Sequence, residues 1–466
     1  MVRISIAALV IASSALVSCT NPTNNIIDPN GKVDHFSDTT DYFPSKVAPE
    51  SGSHFSVEYH KHWKYATNKF SNQTFVLYQR GTPKPKAVTD KDIFFEVPVN
   101  KIATVTTTTV SYLEMLGLRE RIKYVESEDL ITSSCVLDLV HEKKITPLPN
   151  YSKGEAAKID DKAWENVDII FDDEPFNNKT VAVEDYEAPG VLRRTEWLDF
   201  FSIFFNLEKT ANQVTGDIFN NYNCIKKQAT AKTKDPKPVV AWASYVAPYP
   251  GYNSQPYYQI STAIYKANLT QDAGAAMVAF NESQTWKKYS GEHAFAFETA
   301  DKFHAALKTV DFLIDESDVT NNTFPNFEDI LKLYKLSSKD TDYKFIKNKA
   351  IYREDLVQSK AGGLDWLSNG IVMADAALED VVNMIDPNFH KDYDFHWFRN
   401  ITGDEEVEIV TDDECKDPKA TLKSVAYQCA KAGDSKSGDH TSNGMFKPVL
   451  SATSIIMTLV AITLAL

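Results

Sequence analysis

Residues Ala188 to Gln228, APGVLRRTEWLDFFSIFFNLEKTANQVTGDIFNNYNCIKKQ, limit the possible folds of this chain more than any other stretch. They read as two consecutive helices. The first carries Trp197, Phe200, Phe201 and Phe204 at helical spacing, and Asn206 supplies a break and a new N-cap. The second sets Ala211, Val214, Ile218, Tyr222 and Ile225 in one stripe. Lys226 and Lys227 stand near its end, where the helix dipole favours cations. A helix of about twenty residues spans about 30 Å, enough to run along one small domain and reach another. Strand candidates alternate with helices on either side. The expected fold is therefore α/β: two α/β lobes strung on a single long helix, with whatever the protein binds held between them.

A chain of 466 residues is too long for one ordinary core, and two domains plus tails are expected. In the first half, FSVEYHKHWKYATN and TFVLYQRG form a hairpin. KIATV is a buried strand leading through Thr106–Thr109 into the helix VSYLEMLGL, which Gly117 ends. Ile122 to Val125 is a strand, Ser133 and Ser134 cap the helix CVLDLVHEKK, and Asp160 opens a short helix through Trp164. VDIIF and TVAVEDY are further strands. In the second half KPVVAWASYV is a strand, YYQISTAIYKANL a helix, and AAMVAF, DFLID and AIYRED strands. DKFHAALKTV and FEDILKLYKL are helices, and Gly370 to Ile385 is a closing amphipathic helix. The resulting division is a signal peptide over 1–18, a disordered leader over 19–53, and an N-terminal lobe over 54–207. The connecting helix takes 208–230, the C-terminal lobe 231–401, a polar stalk 402–445, and an attachment tail 446–466.

Arg3 precedes an apolar run ending in small residues near Ser18, the pattern of a secretory signal. Val449 to Leu466 is apolar and follows a small, polar stretch. That combination is a GPI-attachment pattern, with Ser437 or Gly438 as the lipidated residue. A tail-anchored helix is the competing reading. Leu16-Val17-Ser18-Cys19 would also serve as a bacterial lipoprotein box. The sequons at Asn72, Asn150, Asn178, Asn268, Asn281, Asn321 and Asn400 favour a eukaryotic secretory route and the extracellular side of the plasma membrane. Of the remaining cysteines, Cys415 and Cys429 close a short loop and are expected to pair, while Cys135 and Cys224 either pair or stay buried.

The net charge of −15 argues against nucleic acid and anionic membrane surfaces as partners and mildly favours a neutral or cationic ligand. His60 and His62 share a strand face with His54 nearby, but a zinc site needs three or four converging ligands. No GxGxxG, P-loop, HExxH or GxSxG pattern occurs. Asp172-Asp173-Glu174, Glu184-Asp185 and Glu187 are paired carboxylates, common by chance among 64 acidic residues, so an enzyme is not expected. Thr107 and Thr108 sit at a strand-to-helix turn whose N–H groups could take an anionic group. The strongest candidate is an aromatic loop: Trp242, Tyr245, Tyr249, Tyr252, Tyr257 and Tyr258 crowd a turn-rich segment leaving a strand. Arg193, Arg194 and Trp197 would add donors and a stacking face. Ser133 and Ser134 complete the ligand set.

Three segments in order carry a resemblance: PVNKIATVTTTTVSYLEMLGLRERIKYV, YEAPGVLRRTEWLDFFSIFFNLEKTAN and DWLSNGIVMADAALEDVVNMIDPNFHKDYDFHWFRNI. They resemble the iron–siderophore and cobalamin class of substrate-binding proteins of ABC importers, although Asp386 stands where members often have His. With the tail pattern, the chain is similar to fungal GPI-anchored ferrioxamine-binding surface receptors. The resemblance implies two Rossmann-like lobes joined by a single long rigid helix in the class III periplasmic-binding-protein-like manner, a shallow cleft and a ferric hydroxamate siderophore as ligand, with no covalently bound cofactor. It also implies a separate ferric reductase and iron permease as partners, and no ABC permease. Haem or a corrinoid is the alternative cargo, and a glycan-active enzyme or an adhesin the alternative role.

Overall fold

The computed structural model describes residues 24–149, 164–233, 235–249, 251–291, 293–318 and 325–429. The signal peptide, Cys19, Asn150, the start of the helix at Asp160, Asn321, Ser437, Gly438 and the terminal apolar tail lie outside them.

Four strands open the chain: β1 (Phe55–Tyr59), β2 (Trp63–Asn68), β3 (Thr74–Gln79) and β4 (Ile93–Val97). The first three form an antiparallel meander and β4 joins β3 in parallel. The N-terminal lobe proper is a five-stranded parallel sheet, order β7-β6-β5-β8-β9. Its strands are β5 (Ile102–Thr104), β6 (Ile122–Val125), β7 (Thr146–Pro147), β8 (Ile169–Asp172) and β9 (Thr180–Ala182). Helices α1 (Thr108–Met115) and α2 (Ser134–His141) connect them. Strands β5, β8 and β9 are buried at every position, as expected of a sheet covered on both faces.

Next come α3 (Val191–Thr195), α4 (Trp197–Ser202) and the strut α5 (Glu208–Ala231), 24 residues long. The stripe of α5 buries Ala211, Ile218, Tyr222 and Ile225 as its spacing predicts. Asn206 is not its N-cap. It adopts a left-handed φ of 60°, and Leu207 takes the cap position. The Asn206 side chain instead donates to Ile26 O and Gln79 Oε1 and accepts from Lys64.

The C-terminal lobe is a mixed sheet. Strands β10 (Val239–Val246), β14 (Phe312–Asp315) and β15 (Ile351–Arg353) run parallel, and β12 (Ala276–Met277) pairs with β10. Strands β11 (Tyr257–Ser261), β13 (Ala294–Phe297) and β17 (Arg399–Asn400) add antiparallel edges. The helices are α6 (Ile264–Asp272), α7 (Ala300–Leu307), α8 (Phe327–Leu333), α9 (Lys344–Lys347), α10 (Asn369–Val372) and α11 (Ala374–Ile385). The helix expected from Tyr257 onward is strand for its first five residues and helix only from Ile264. The aromatic run at Tyr257 and Tyr258 suits a pleated surface better than a helix.

Three expectations about the ends are corrected. Residues 24–53 are not a disordered leader: Phe43 and Val47 enter the main core, and Asn25 donates to Glu208 Oε2 at 2.7 Å. Residues 402–429 are not a stalk, because they run back over both lobes, forming β18 (Glu408–Ile409) against β16 (Val357–Gln358) on the way. Cys415 and Cys429 do not pair with each other. Cys415 bonds Cys135 on α2, and Cys429 bonds Cys224 on α5. The tail lies against two different elements, so each cysteine meets a partner far off in sequence.

Candidate functional site

The parallel strands of both lobes point their carboxyl ends toward a common seam, where ligands bind in open α/β sheets. From the N-terminal lobe, β6 delivers Glu126, β8 delivers Asp172 and Asp173, and β9 delivers Glu184 and Asp185. From the C-terminal lobe, β14 delivers Glu316 and β15 delivers Glu354. Contacts across the seam are direct. The Arg194 guanidinium lies 3.6 Å from the centre of the Tyr265 ring, and His293 Nε2 is 3.9 Å from Glu187 Oε2. Ser111 donates to Asn369 at 2.7 Å, and Thr195 to Val372 O at 2.7 Å.

Burial, with like charge beside some of them, pushes Glu126, Asp172, Glu184, Asp185 and Glu354 toward the neutral form. The Glu126 carboxyl is raised to about 7, by burial and then by Asp173, against the pull of the Thr107 N–H. Asp172 is raised to about 8 by burial and its neighbour Asp173. Asp185 is fully buried and raised to about 6 by that burial, with Thr108 and Arg194 holding it down. The Thr108 and Tyr112 hydroxyls lie near Asp185, but neither forms a well-directed hydrogen bond to it, so both its oxygens lack a partner. Glu354 is raised well above the usual range by burial and then by Glu316, and its Oε2 is also without a partner. Lys266 pairs with Glu316 and lies 5.4 Å from the ring centres of both Trp242 and Tyr265.

Of the residues expected to bind ligand, Thr107 and Ser133 come together. They line a slot of about 10 Å³, room for about one water, with Val110, Ser111, Glu114, Thr132 and Asn369. Ser133 caps α2 and donates to Glu114 Oε1 at 2.6 Å. Thr108 turns toward Asp185, and Ser134 is buried, its nearest acceptor Asp412 O at 3.4 Å. Arg194 reaches the seam. Arg193 faces away into ion pairs with Glu196 and Glu50. Trp197 and Trp242 offer no face to a ligand: both are completely buried, one stacked 4.3 Å from His54, the other bonded to Thr270 at 3.0 Å. Tyr249 and Tyr252 are 68% and 66% exposed, on a turn that Asn253 pins through Ala247 O and Gln255 O. Behind them Tyr257 is buried flat against Tyr289 at 4.8 Å, and Tyr245 and Tyr258 pack together at 5.8 Å. Pro250 is outside the described residues.

The sequence reading missed Glu126, Tyr265, Lys266, Glu316 and Glu354. The available signal was an acidic residue directly after a buried strand, as in FLIDE and IYRE. The three histidines do not converge on a metal: His54 is buried against Trp197, while His60 stacks on Trp63 at 3.8 Å. Among the described residues no group of three or more His, Cys, Asp or Glu is placed to hold one. Of the sequons, Asn72, Asn178 and Asn281 are exposed, whereas Asn268 and Asn400 are half-buried.

Two α/β lobes on one long helix, with a seam at the carboxyl ends of both sheets, define a class III periplasmic-binding-protein-like fold. No family model and no curated protein matches the chain. Solved structures similar to it include a possible iron-binding periplasmic solute-binding protein of Staphylococcus epidermidis, at 14% identity and a TM-score of 0.42, covering 62% of this chain and 99% of the other. Helicobacter pylori CeuE with Ni(II) bound gives 14% and 0.43, covering 64% and 88%. Staphylococcus aureus SirA complexed with staphyloferrin B gives 13% and 0.40, covering 63% and 94%. At such identities no site residue carries over from them.

Proposed function

We propose that the protein is a cell-surface receptor that captures a ferric hydroxamate siderophore, such as ferrioxamine, at the seam between its lobes and performs no chemistry on it. The supporting observation is the make-up of the seam. Carboxyl groups from both lobes surround it, and a pinned turn beside it holds Tyr249 and Tyr252 out in solvent. Exposed aromatic rings on a fixed turn offer flat faces on which a ligand can stack. Those seam carboxyls that are ionised attract a cationic chelate, tolerate a neutral one and repel a trianionic catecholate. The slot at Thr107 and Ser133 has room for about one water, far below the roughly 300–1,000 Å³ of sites that engulf a ligand. A compact chelate would therefore lie across the seam's mouth with the tyrosines as its lip.

The protein is held on the outer face of the plasma membrane by a lipid at Ser437 or Gly438, and iron passes to a separate reductase and permease. The test is titration of intrinsic fluorescence with ferrioxamine B, ferrichrome, a ferric catecholate and haem. Quenching by the hydroxamates at micromolar ligand, with little by the catecholate, is expected. Quenching by haem alone would transfer the proposal to a tetrapyrrole cargo, and no response to any of them would end it.

A further inference from the structure

The C-terminal tail runs a continuous path over the whole body. It leaves the C-terminal lobe at β17 and pairs through β18 with β16. It then crosses to the N-terminal lobe, where Asp412 meets His141 at 2.5 Å and Cys415 bonds Cys135 on α2. Next, Arg119 donates to Pro418 O and Ala420 O at 2.7 and 3.0 Å, and Leu422 N donates to Glu114 O at 3.2 Å. The tail ends its described course between α11 and the strut. There Ser424 donates to Asp375, Tyr427 N to Glu379, and Cys429 N to Asn221, and Cys429 bonds Cys224.

These contacts differ in kind. Cys135–Cys415 is a covalent link between α2 of one lobe and a segment whose other end is woven into the sheet of the other lobe. Cys224–Cys429 ties the tail to the strut that already joins them. The tail also touches the slot. Arg119, buried at 5% exposure, divides its donors between two tail carbonyls and Glu114 Oε1, and that same oxygen receives Ser133. A chain of hydrogen bonds thus runs from tail to Arg119, Glu114 and Ser133 at the slot wall.

We propose that residues 402–429 are a strap that fixes the spacing of the lobes and, through Arg119 and Glu114, the wall of the slot, and that reducing Cys135–Cys415 with a dithiol releases both. The exchange balances: the dithiol gives two electrons and two protons, the Sγ–Sγ bond breaks, Cys135 and Cys415 become thiols, and the dithiol closes to its own disulfide. The proposal does not depend on what the seam binds.

Hydrogen exchange on the full chain tests it, comparing native protein, protein treated with dithiothreitol, and the pairs Cys135→Ser/Cys415→Ser and Cys224→Ser/Cys429→Ser, with thiols counted by alkylation and mass spectrometry. Loss of the first disulfide should speed exchange at least tenfold in residues 107–115 and 365–373 along the seam, while β10 and β14 stay protected. Loss of the second should change the seam less than twofold. Unchanged seam exchange after confirmed reduction of Cys135–Cys415 would overturn the proposal. So would simultaneous loss of protection in β10 and β14, because the bond would then support the fold as a whole. If the first serine pair does not fold, dithiothreitol treatment of the Cys224→Ser/Cys429→Ser pair, which keeps Cys135–Cys415, decides.

Discussion

Two buried lysines make opposite use of the same pairing. Lys64, fully buried on β2, spends its three donors on Glu208 at 2.6 Å, Ile203 O at 2.6 Å and Asn206 Oδ1 at 2.8 Å. Burial lowers its pKa, and Glu208 opposes that shift. Lys266, on α6 at the seam, has Glu316 as its close partner, with the faces of Trp242 and Tyr265 beside it. Burial would lower its pKa too, yet Glu316, Tyr265 and Glu354 together raise it. The first lysine is saturated and fixes the start of the strut to the opening sheet. The second sits among carboxyls that outnumber it, one of them with an oxygen unsatisfied. A saturated ion pair is structure, whereas an unsaturated one leaves electrostatic capacity for something that binds.

The largest effect expected from this comparison is on stability. Lys64→Met would leave Glu208 buried without its cation, a loss of about 3–5 kcal/mol. Lys266→Met leaves Glu316 half-buried near the seam and should cost clearly less; by taking a positive charge out of the seam it should tighten binding of a cationic chelate. Denaturant unfolding of both variants measures the first, fluorescence titration the second. Equal destabilisation by the two would erase the distinction between them.

Next in size is the covalent link between the regions. Removing Cys135–Cys415 should cost the tail and seam about 2–4 kcal/mol of local opening free energy, more than the Cys224→Ser/Cys429→Ser pair costs there, while calorimetry shows the C-terminal sheet melting at its native temperature. The reverse order would place the stabilising staple at the strut.

How much of this was legible in the sequence follows the range of each interaction. The strut is written locally, as a stripe at Ala211, Ile218, Tyr222 and Ile225, and it was read with its bounds nearly right. The buried parallel strands were legible for the same reason. The strand at Tyr257 was misread because a short aromatic run fits either period. The tail was misread because its attachments are backbone carbonyls, single polar side chains and disulfides spanning 280 and 205 residues, none of which leaves a periodic mark. At the candidate site, the crowding of Tyr249 and Tyr252 and the place of Arg194 beside the strut point to where they lie, exposed on a turn and at the seam; whether they touch ligand is left to the titrations. Trp197 and Trp242 were over-read, since a tryptophan near a cleft and one in the core look alike in sequence. Lys266, Glu316 and Glu354 went unnoticed among many charged residues.

A smaller effect separates the tyrosine lip from the buried seam behind it. Tyr249→Ala and Tyr252→Ala remove exposed rings and should leave stability within about 0.5 kcal/mol. Each should nevertheless weaken chelate binding by about 0.5–1.5 kcal/mol, the worth of one stacking contact. Unchanged affinity in the double variant would remove the loop from the site.

The smallest effect is pH dependence. Asp172, at about 8, and Glu126, at about 7, are held above their unfolded values, so between those values and pH 8 the folded chain binds more protons than the unfolded one. Stability from these groups is therefore greatest below the unfolded pKa and declines as pH rises through about 7 and then about 8. Binding of a cationic chelate should move the other way, because the same deprotonations make the seam more negative. Asp172→Asn should flatten both slopes. Melts and titrations between pH 6 and 9 read them together. A stability slope that flattens while the binding slope persists would place the chelate away from Asp172 and nearer the Lys266 side of the seam, where the carboxyl of Glu354 is also held neutral by burial.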